Sequence, residues 1–434
     1  MAILRNSPHP GGANRAAGLR SALVRASVLL VCAFILWRSF PLALADFYAS
    51  SGTAEGYRRA LALEPGNADL VSARAVFLAV TADPSPAVDQ ALRSAIALNP
   101  ADAEALMSLG LRAELRGDNA AAQSALERAA SVSHLFKPAW TLANFYFRTG
   151  HDAAFRPMLQ RCLGMIEPQT LQPMSFDPSP IFDLAWRQDP DPVRIRALIP
   201  NRPATLVPYL RWLSTTGRLD PALALWPDAL AVADPALPQD TDAILGFDET
   251  LLAANRPLDA ASVWNNALQR GFVHSSPLDP AAGISLENPD FAFPSISRAL
   301  SWYPARQPGL FVTQAPHSLR FELTGGEPEV FELLSKLLPV APGRVWHLAW
   351  NADTSRLENL PASASGLSFT IDERPDISPH PCPPLDRSGP GSCDFSTLGS
   401  TRVLRLSLRY QRPPGSTRLK GVLVFSAIHL VPAP

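Results

Sequence analysis

The 434-residue sequence predicts two fold classes in series: an α-helical solenoid of helix–turn–helix repeats, then an antiparallel β-sandwich, preceded by one transmembrane or signal helix. Three observations carry this expectation. Ala101–His134 spans 34 residues with apolar residues at helical spacing on either side of Gly117-Asp118. After Gly271 the hydrophobic period changes from that of a helix to that of a strand. An apolar run, Ala26–Trp37, follows a leader with four arginines and no acidic residue before Asp46.

In the central repeat, Leu106, Leu109, Gly110 and Ala113 fall on one face of a first helix, and Ala122, Leu126 and Ala129 on one face of a second. Small residues at Gly110, Ala122 and Ala129 suit a close helix crossing, where a larger side chain would push the backbones apart. One such hairpin cannot bury its apolar face alone, so neighbouring hairpins must complete the core. Tyr57, Ala60 and Pro65 match the second helix and closing proline of an earlier unit, and Leu92, Ala95 and Pro100 repeat that spacing. The first helix of that unit runs near Ala68–Val80, with a longer loop at Ala82–Pro86. A further unit starts at Pro138, with Trp140, Ala143 and Phe147 on the first-helix face and a turn at Thr149-Gly150. Over residues 46–168 this spacing resembles the tetratricopeptide (TPR) family. The resemblance implies a scaffold whose stacked helix pairs take an extended peptide or a helix of a protein partner.

Residues 169–270 keep the helical habit without the signature, through Pro180–Arg187, Asp191–Leu198, Ala204–Thr216, Thr241–Ala254 and Leu258–Arg270. They are expected to be degenerate repeats. Trp140, Phe145, Tyr146, Trp186, Trp212, Trp226 and Trp264 are expected between helices, and Cys162 as an inert buried thiol.

In residues 271–434, Leu319/Phe321/Leu323, Trp346/Leu348/Trp350, Leu367/Phe369/Ile371 and Leu404/Leu406/Leu408/Tyr410 alternate with polar residues. Such strands separated by Gly/Pro turns predict a sandwich with one wet and one buried face per sheet. A turn at Pro413-Pro414-Gly415 into Leu419–Leu430 predicts a terminal β-hairpin. Asn288-Pro289-Asp290-Phe291, then Leu300-Ser301-Trp302, Ser318-Leu319-Arg320-Phe321 and the strand after Pro342-Gly343 resemble the galactose-binding-like jelly roll of many carbohydrate-binding modules. The resemblance implies a glycan ligand. Ala292 stands where that family often has Glu, which puts a calcium or sugar contact there in doubt. Trp346 and Trp350 share a face with Leu348 and belong to the core; Trp302 and Tyr303 are strand neighbours on opposite faces, so one is expected to be exposed as a ligand face.

The basic flank keeps residues 1–20, a disordered leader, on the cytoplasmic side and directs the rest out. Residues 21–45 form either an uncleaved inner-membrane anchor, leaving the bulk of the chain periplasmic, or a signal segment cut after Ala43-Leu44-Ala45 to leave a periplasmic or secreted protein. In an oxidising compartment Cys382 and Cys393, bracketing CPPLDRSGPGSC, are expected to pair.

A net charge of −1, with Lys137, Lys336 and Lys420 the only lysines, supports no nucleic-acid partner. No lysine follows a glycine, so no Walker-type phosphate loop exists, and no Gly-x-Ser-x-Gly elbow is present. The eight histidines, among them His347 and His429, show no short spacing to another His or Cys, so neither metal nor cofactor is expected. The carboxylates Asp290, Glu322, Glu332, Asp353 and Asp372 have no pattern that separates them from solvated surface charges. The expectation is therefore a non-enzymatic, membrane-tethered scaffold in envelope or exopolysaccharide assembly. The alternatives are a glycan-processing enzyme and a sandwich that only caps the repeats.

Overall fold

A computed structural model describes residues 13–81, 85–166, 177–358, 365–373 and 379–433. The chain divides into two compact units, Met1–Met165 and Ile166–Pro434.

The first unit is built of helix pairs. They are α1 (Ala13–Ala49), α2 (Ala54–Leu63), α3 (Ala68–Thr81), α4 (Pro86–Leu98), α5 (Ala103–Leu115), α6 (Asn119–Val132), α7 (Phe136–Thr149) and α8 (Asp152–Gly164). Helix α1 already includes residues 13–20, which were expected as a disordered leader; residues 1–12 and most of the expected loop at Ala82–Pro86 lie outside the described residues. Sequence dictates the ends. Asp102 Oδ1 accepts from the Ala105 N–H at 3.0 Å and starts α5, and Asp118 does the same for Ala121 and α6. Gly117 takes φ 80° between them, a conformation that costs residues with a Cβ. A Cβ on Gly110 would stand 2.7 Å from Leu126 Cγ, so the absence of a side chain sets how closely α5 and α6 cross. Buried Arg112 on α5 reaches Asp89 Oδ1 on α4 at 2.7 Å and the Ser85 carbonyl at 3.0 Å, and this fastens successive pairs.

In α7 the buried residues are Pro138, Ala139, Leu142, Ala143, Phe145 and Tyr146. The expected face at Trp140, Ala143 and Phe147 is rotated by one position, and Trp140 and Phe147 are half-buried at its edge. The physical reason is size, since Ala139 and Ala143 admit the neighbouring helix where an indole would not. Cys162 is buried in α8, and desolvation pushes its thiol up to about 12, which leaves it inert.

The second unit opens with α9 (Ser179–Gln188), α10 (Pro192–Leu198), α11 (Pro203–Thr215), α12 (Leu219–Val232), α13 (Pro238–Ala253) and α14 (Pro257–Gln269). Tyr209 and Trp212 stack at 6.1 Å, and Trp226 meets Phe247 at 5.6 Å, so the tryptophans fill the spaces between helices. Trp186 is half-buried under the Arg218 guanidinium.

The strands are β1 (Tyr303–Pro304), β2 (Leu310–Ala315), β3 (Ser318–Leu323), β4 (Val330–Pro339), β5 (Val345–Glu358), β6 (Leu367–Asp372), β7 (His380–Pro384), β8 (Gly389–Ser396), β9 (Val403–Gln411) and β10 (Lys420–Pro432). They form two five-stranded antiparallel sheets, in the orders β1-β4-β9-β6-β7 and β2-β3-β10-β5-β8. The expected terminal hairpin does not form: β9 belongs to the first sheet and β10 to the second. Two prolines in the connection, Pro413 and Pro414, carry the chain across the sandwich instead of folding it back on the same sheet. Trp346, Leu348, Phe369, Leu408 and Phe425 are completely or almost completely removed from water between the sheets.

This second unit runs straight through residue 271, where the change of period suggested a boundary. Asn265 on α14 both donates to and accepts from the Leu278 backbone. Arg298 bonds Asp242 and Glu249 on α13, and the Ala299 N–H adds a further bond to Glu249.

Candidate functional sites

Three surfaces have the geometry to bind something. The first is the apolar part of α1. Val28, Leu29, Leu30, Phe34, Leu36 and Trp37 are all exposed, and Arg25–Ala49 is long and apolar enough to cross a membrane. The same helix continues past the apolar run and packs into the first repeat. Ala45 is 1% exposed against Ala60 and Leu70, and Arg38 lies 3.5 Å from Glu64.

The second is the open face shared by the first helices α3, α5 and α7. Helical spacing places Val80, Leu111 and Leu115 away from the buried faces, and all three are exposed, Leu115 at 88%. Ion pairs bridge α5 to α7 beside them, Lys137–Glu104 at 2.8 Å and Arg148–Glu114 at 2.7 Å. These exposed pairs contribute little stability and chiefly set the lateral spacing of the two helices.

The third is the outer face of the first sheet. Ser335, Ser407 and Thr370 are register partners in one row across β4, β9 and β6. All three are buried, and among the described residues the Ser407 and Thr370 hydroxyls make no aligned hydrogen bond. Arg405 and Arg409 flank Ser407 on β9 and point the same way, because strand side chains alternate. Arg405 reaches Glu332 at 2.7 Å and Arg409 reaches Asp372 at 3.1 Å. The result is a polar floor of small hydroxyls enclosed by two arginine–carboxylate pairs. Burial opposes ionisation of Glu332; Arg405 and the nearby Ser407 and Ser335 hydroxyls outweigh it and hold the carboxyl below its usual range.

The residues singled out as a ligand face are placed elsewhere. Trp302 is 1% exposed, its indole N–H donates to the Asn288 carbonyl, and Lys336 Nζ lies 5.1 Å from its ring. Tyr303 is half-buried, and its hydroxyl donates to the Ala299 carbonyl at 3.1 Å. Burial pushes that phenol up to about 12, and the nearby Glu249 and Asp248 charges add to the shift. Neither ring is exposed, because Trp302 precedes β1 rather than lying in it and Tyr303 is closed off by the segment tied to α13. Cys382 and Cys393 are joined in a disulfide with Cα atoms 5.5 Å apart, linking β7 to β8. Among the described residues no group of three or more His, Cys, Asp or Glu is gathered to hold a metal.

Sequence reasoning missed the hydroxyl row. Its residues are ordinary strand serines and threonines, and only the register between β4, β9 and β6 aligns them. The single legible signal was Arg405-Leu-Ser-Leu-Arg409, with two arginines on the outward face of one strand.

No protein-family model matches the sequence. No curated protein matches it either. Among solved structures, the chain is similar to YrrB, described as a TPR protein with an unusual peptide-binding site, at 15% identity and TM-score 0.26, over 51% of this chain and 95% of that one. It is similar to Pseudomonas aeruginosa PilF at 16% identity and TM-score 0.27, over 54% and 90%. A CBM4 structure matches at 10% identity and TM-score 0.26, over 34% of this chain and all of that one. These likenesses are too distant to assign an activity. From its own geometry, the chain is a TPR-like helical-repeat protein that ends in an antiparallel two-sheet β-sandwich and carries one apolar helix at its N-terminus.

Proposed function

We propose that this protein is a non-enzymatic, membrane-tethered scaffold of the cell envelope. Its repeats dock a protein partner on the open face of α3, α5 and α7, and the outer face of its first sheet holds a glycan, in envelope or exopolysaccharide assembly. The observation that carries the reading is Leu111 and Leu115 standing exposed on α5 beside the ion pairs that bridge it to α7. An apolar patch with a charged rim is the usual composition of a protein-docking surface. A photo-crosslinking residue at Leu115 in the membrane-bound full chain should give one discrete adduct, and the same residue at exposed Ser124 on α6 should not. No adduct at Leu115, or an equal pattern at both positions, overturns the docking face.

The packing of Ala45 supports an uncleaved anchor over a signal segment. Cutting after Ala45 would remove the part of α1 whose Ala45 packs against Ala60 and Leu70. The intact mass of the membrane-extracted protein tests this, and a mature N-terminus at Asp46 would overturn it.

The glycan reading rests on the two arginine–carboxylate pairs that stand over the buried hydroxyl row. Planar guanidinium and carboxylate groups offer paired donors and acceptors to a sugar's hydroxyls. Glu332, held ionised by Arg405, is unsuited to donate a proton at this face.

A further inference from the structure

The two open sides of the sandwich are treated differently. The edge strands are β1 and β7 of one sheet and β2 and β8 of the other. An open edge presents unpaired backbone groups that invite another strand, and proteins blunt such edges with proline, charge or brevity. Strand β1 has two residues and ends in Pro304. Strand β7 contains Pro381, Pro383 and Pro384, and β8 contains Pro390 and is bound to β7 through Cys393. Strand β2, Leu-Phe-Val-Thr-Gln-Ala, has six residues with no proline and no charge.

The β2–β3 register shows which groups are free. The hairpin turns through Pro316-His317 and pairs Ala315 with Ser318. A two-residue turn makes that flanking pair a hydrogen-bonded one, so Thr313 and Phe311 also bond inward to β3. Val312 and Gln314 therefore turn their N–H and C=O groups to the free edge. Among the described residues, no hydrogen bond outside the sheet ladder reaches either backbone.

That edge borders a cavity of about 540 Å³, walled on its other side by residues 304–307 and by Ser295 and Ser297. Arg306 is the only charged residue in its lining, is exposed, and makes no ion pair among the described residues. Phe311 is 62% exposed at the rim.

We propose that the β2 edge accepts an extended peptide bearing a carboxylate, added as a sixth strand to the second sheet. The free groups of Val312 and Gln314 are two residues apart, so they match every second residue of an incoming strand. Side chains of one parity enter the cavity, those of the other lie along Phe311 and Thr313, and an Asp or Glu pairs with Arg306. The proposal shares with the scaffold reading only that the occupant is a protein. It uses neither the repeat face nor the hydroxyl row, so it fails or stands separately from them.

The test is fluorescence polarisation on the detergent-solubilised full chain with a library of eight-residue Thr/Val peptides carrying one Asp, one Lys or no charge at each position. Acidic members should bind at least tenfold tighter than basic ones. Arg306→Glu should reverse that order. Val312→Pro removes an N–H that bonds nothing in the sheet and a side chain packed on the core, so it should lower the melting temperature, keep the cooperative melt and lower peptide affinity at least tenfold. N-methylation of alternate peptide nitrogens should abolish binding in one parity only. No member binding below about 1 mM, binding indifferent to Val312→Pro, or an uronic-acid oligosaccharide competing for the groove more tightly than any peptide would each overturn the proposal.

Discussion

Lys336 Nζ lies 2.9 Å from Glu287 Oε1, with both side chains almost wholly removed from solvent inside the sandwich. The ammonium also donates to the Leu300 carbonyl. The pair joins β4 to the segment that leads from the last helix into the sheets. Burial pushes the ammonium's pKa down, while Glu287 opposes the shift and keeps it paired. Removing one partner strands the other as an uncompensated buried charge. Lys336→Met or Glu287→Leu is therefore expected to cost about 3–5 kcal/mol, and the double substitution Lys336→Met/Glu287→Leu distinctly less than the two single costs combined. Urea unfolding of the three variants checks this, and simple additivity would show that the pair is not coupled.

Gly110 should tolerate no side chain. Gly110→Val is expected to lower the stability of the first unit by about 1–3 kcal/mol, because the new atoms meet Leu126 Cγ and the Ala122 carbonyl. Circular dichroism melts of the variant check this. An unchanged melt would mean that α5 and α6 can separate without loss.

Asp248 on α13 is 1% exposed, and among the described residues neither carboxylate oxygen has a hydrogen-bond partner. Desolvation, with Glu249 adding to it, raises its pKa well above the usual carboxylate value. The folded state then holds a proton that the unfolded state has released, so stability falls as pH rises from about 4 towards the folded-state value. Asp248→Asn removes that titration. The variant's melting temperature relative to the native chain should climb between pH 4 and 8 and be nearly level in acid. A gap that does not change with pH would contradict the assignment.

The disulfide closes a loop over a sequence separation of 11. Cys382→Ser/Cys393→Ser is expected to cost about 3 kcal/mol by the loop-entropy estimate. Thiol titration of the unreduced protein with and without denaturant, beside the variant's melt, checks it. Reactive thiols at both positions in the native protein would remove the basis of the prediction.

Thr370 separates stability from binding. Among the described residues its buried hydroxyl has no partner, so Thr370→Val should cost under about 1 kcal/mol or stabilise slightly. If the charged pairs over the row hold a glycan, Arg405→Ala should weaken polysaccharide retention by the full chain, whereas Thr370→Val, which removes no accessible hydroxyl, should leave it unchanged. Retention unchanged in Arg405→Ala would dismiss this face as a sugar site.

How much was legible in the sequence follows from the range of the interactions involved. Gly110, Ala122 and Ala129 announced a close crossing, Asp102 and Asp118 begin helices by bonding their own nearby amides, and the Leu404–Tyr410 alternation announced a strand with a buried face. Each is a relationship within a few tens of residues, governed by helical or strand periodicity. Which sheet a strand joins is different, because β9 and β10 are equally good strands and a hairpin between them satisfies the local pattern. Only the long-range pairing of β4 with β9 and of β3 with β10 decides against it. The same holds for Trp302, whose neighbours in the chain cannot report that Asn288 and Lys336 close over it. By itself the sequence determined the helical repeats, the apolar N-terminal helix and the alternating strands, since local periodicity and steric size suffice for these. The tertiary structure alone decided the crossing between sheets, the hydroxyl row and the open β2 edge, since these depend on register between segments far apart in the chain.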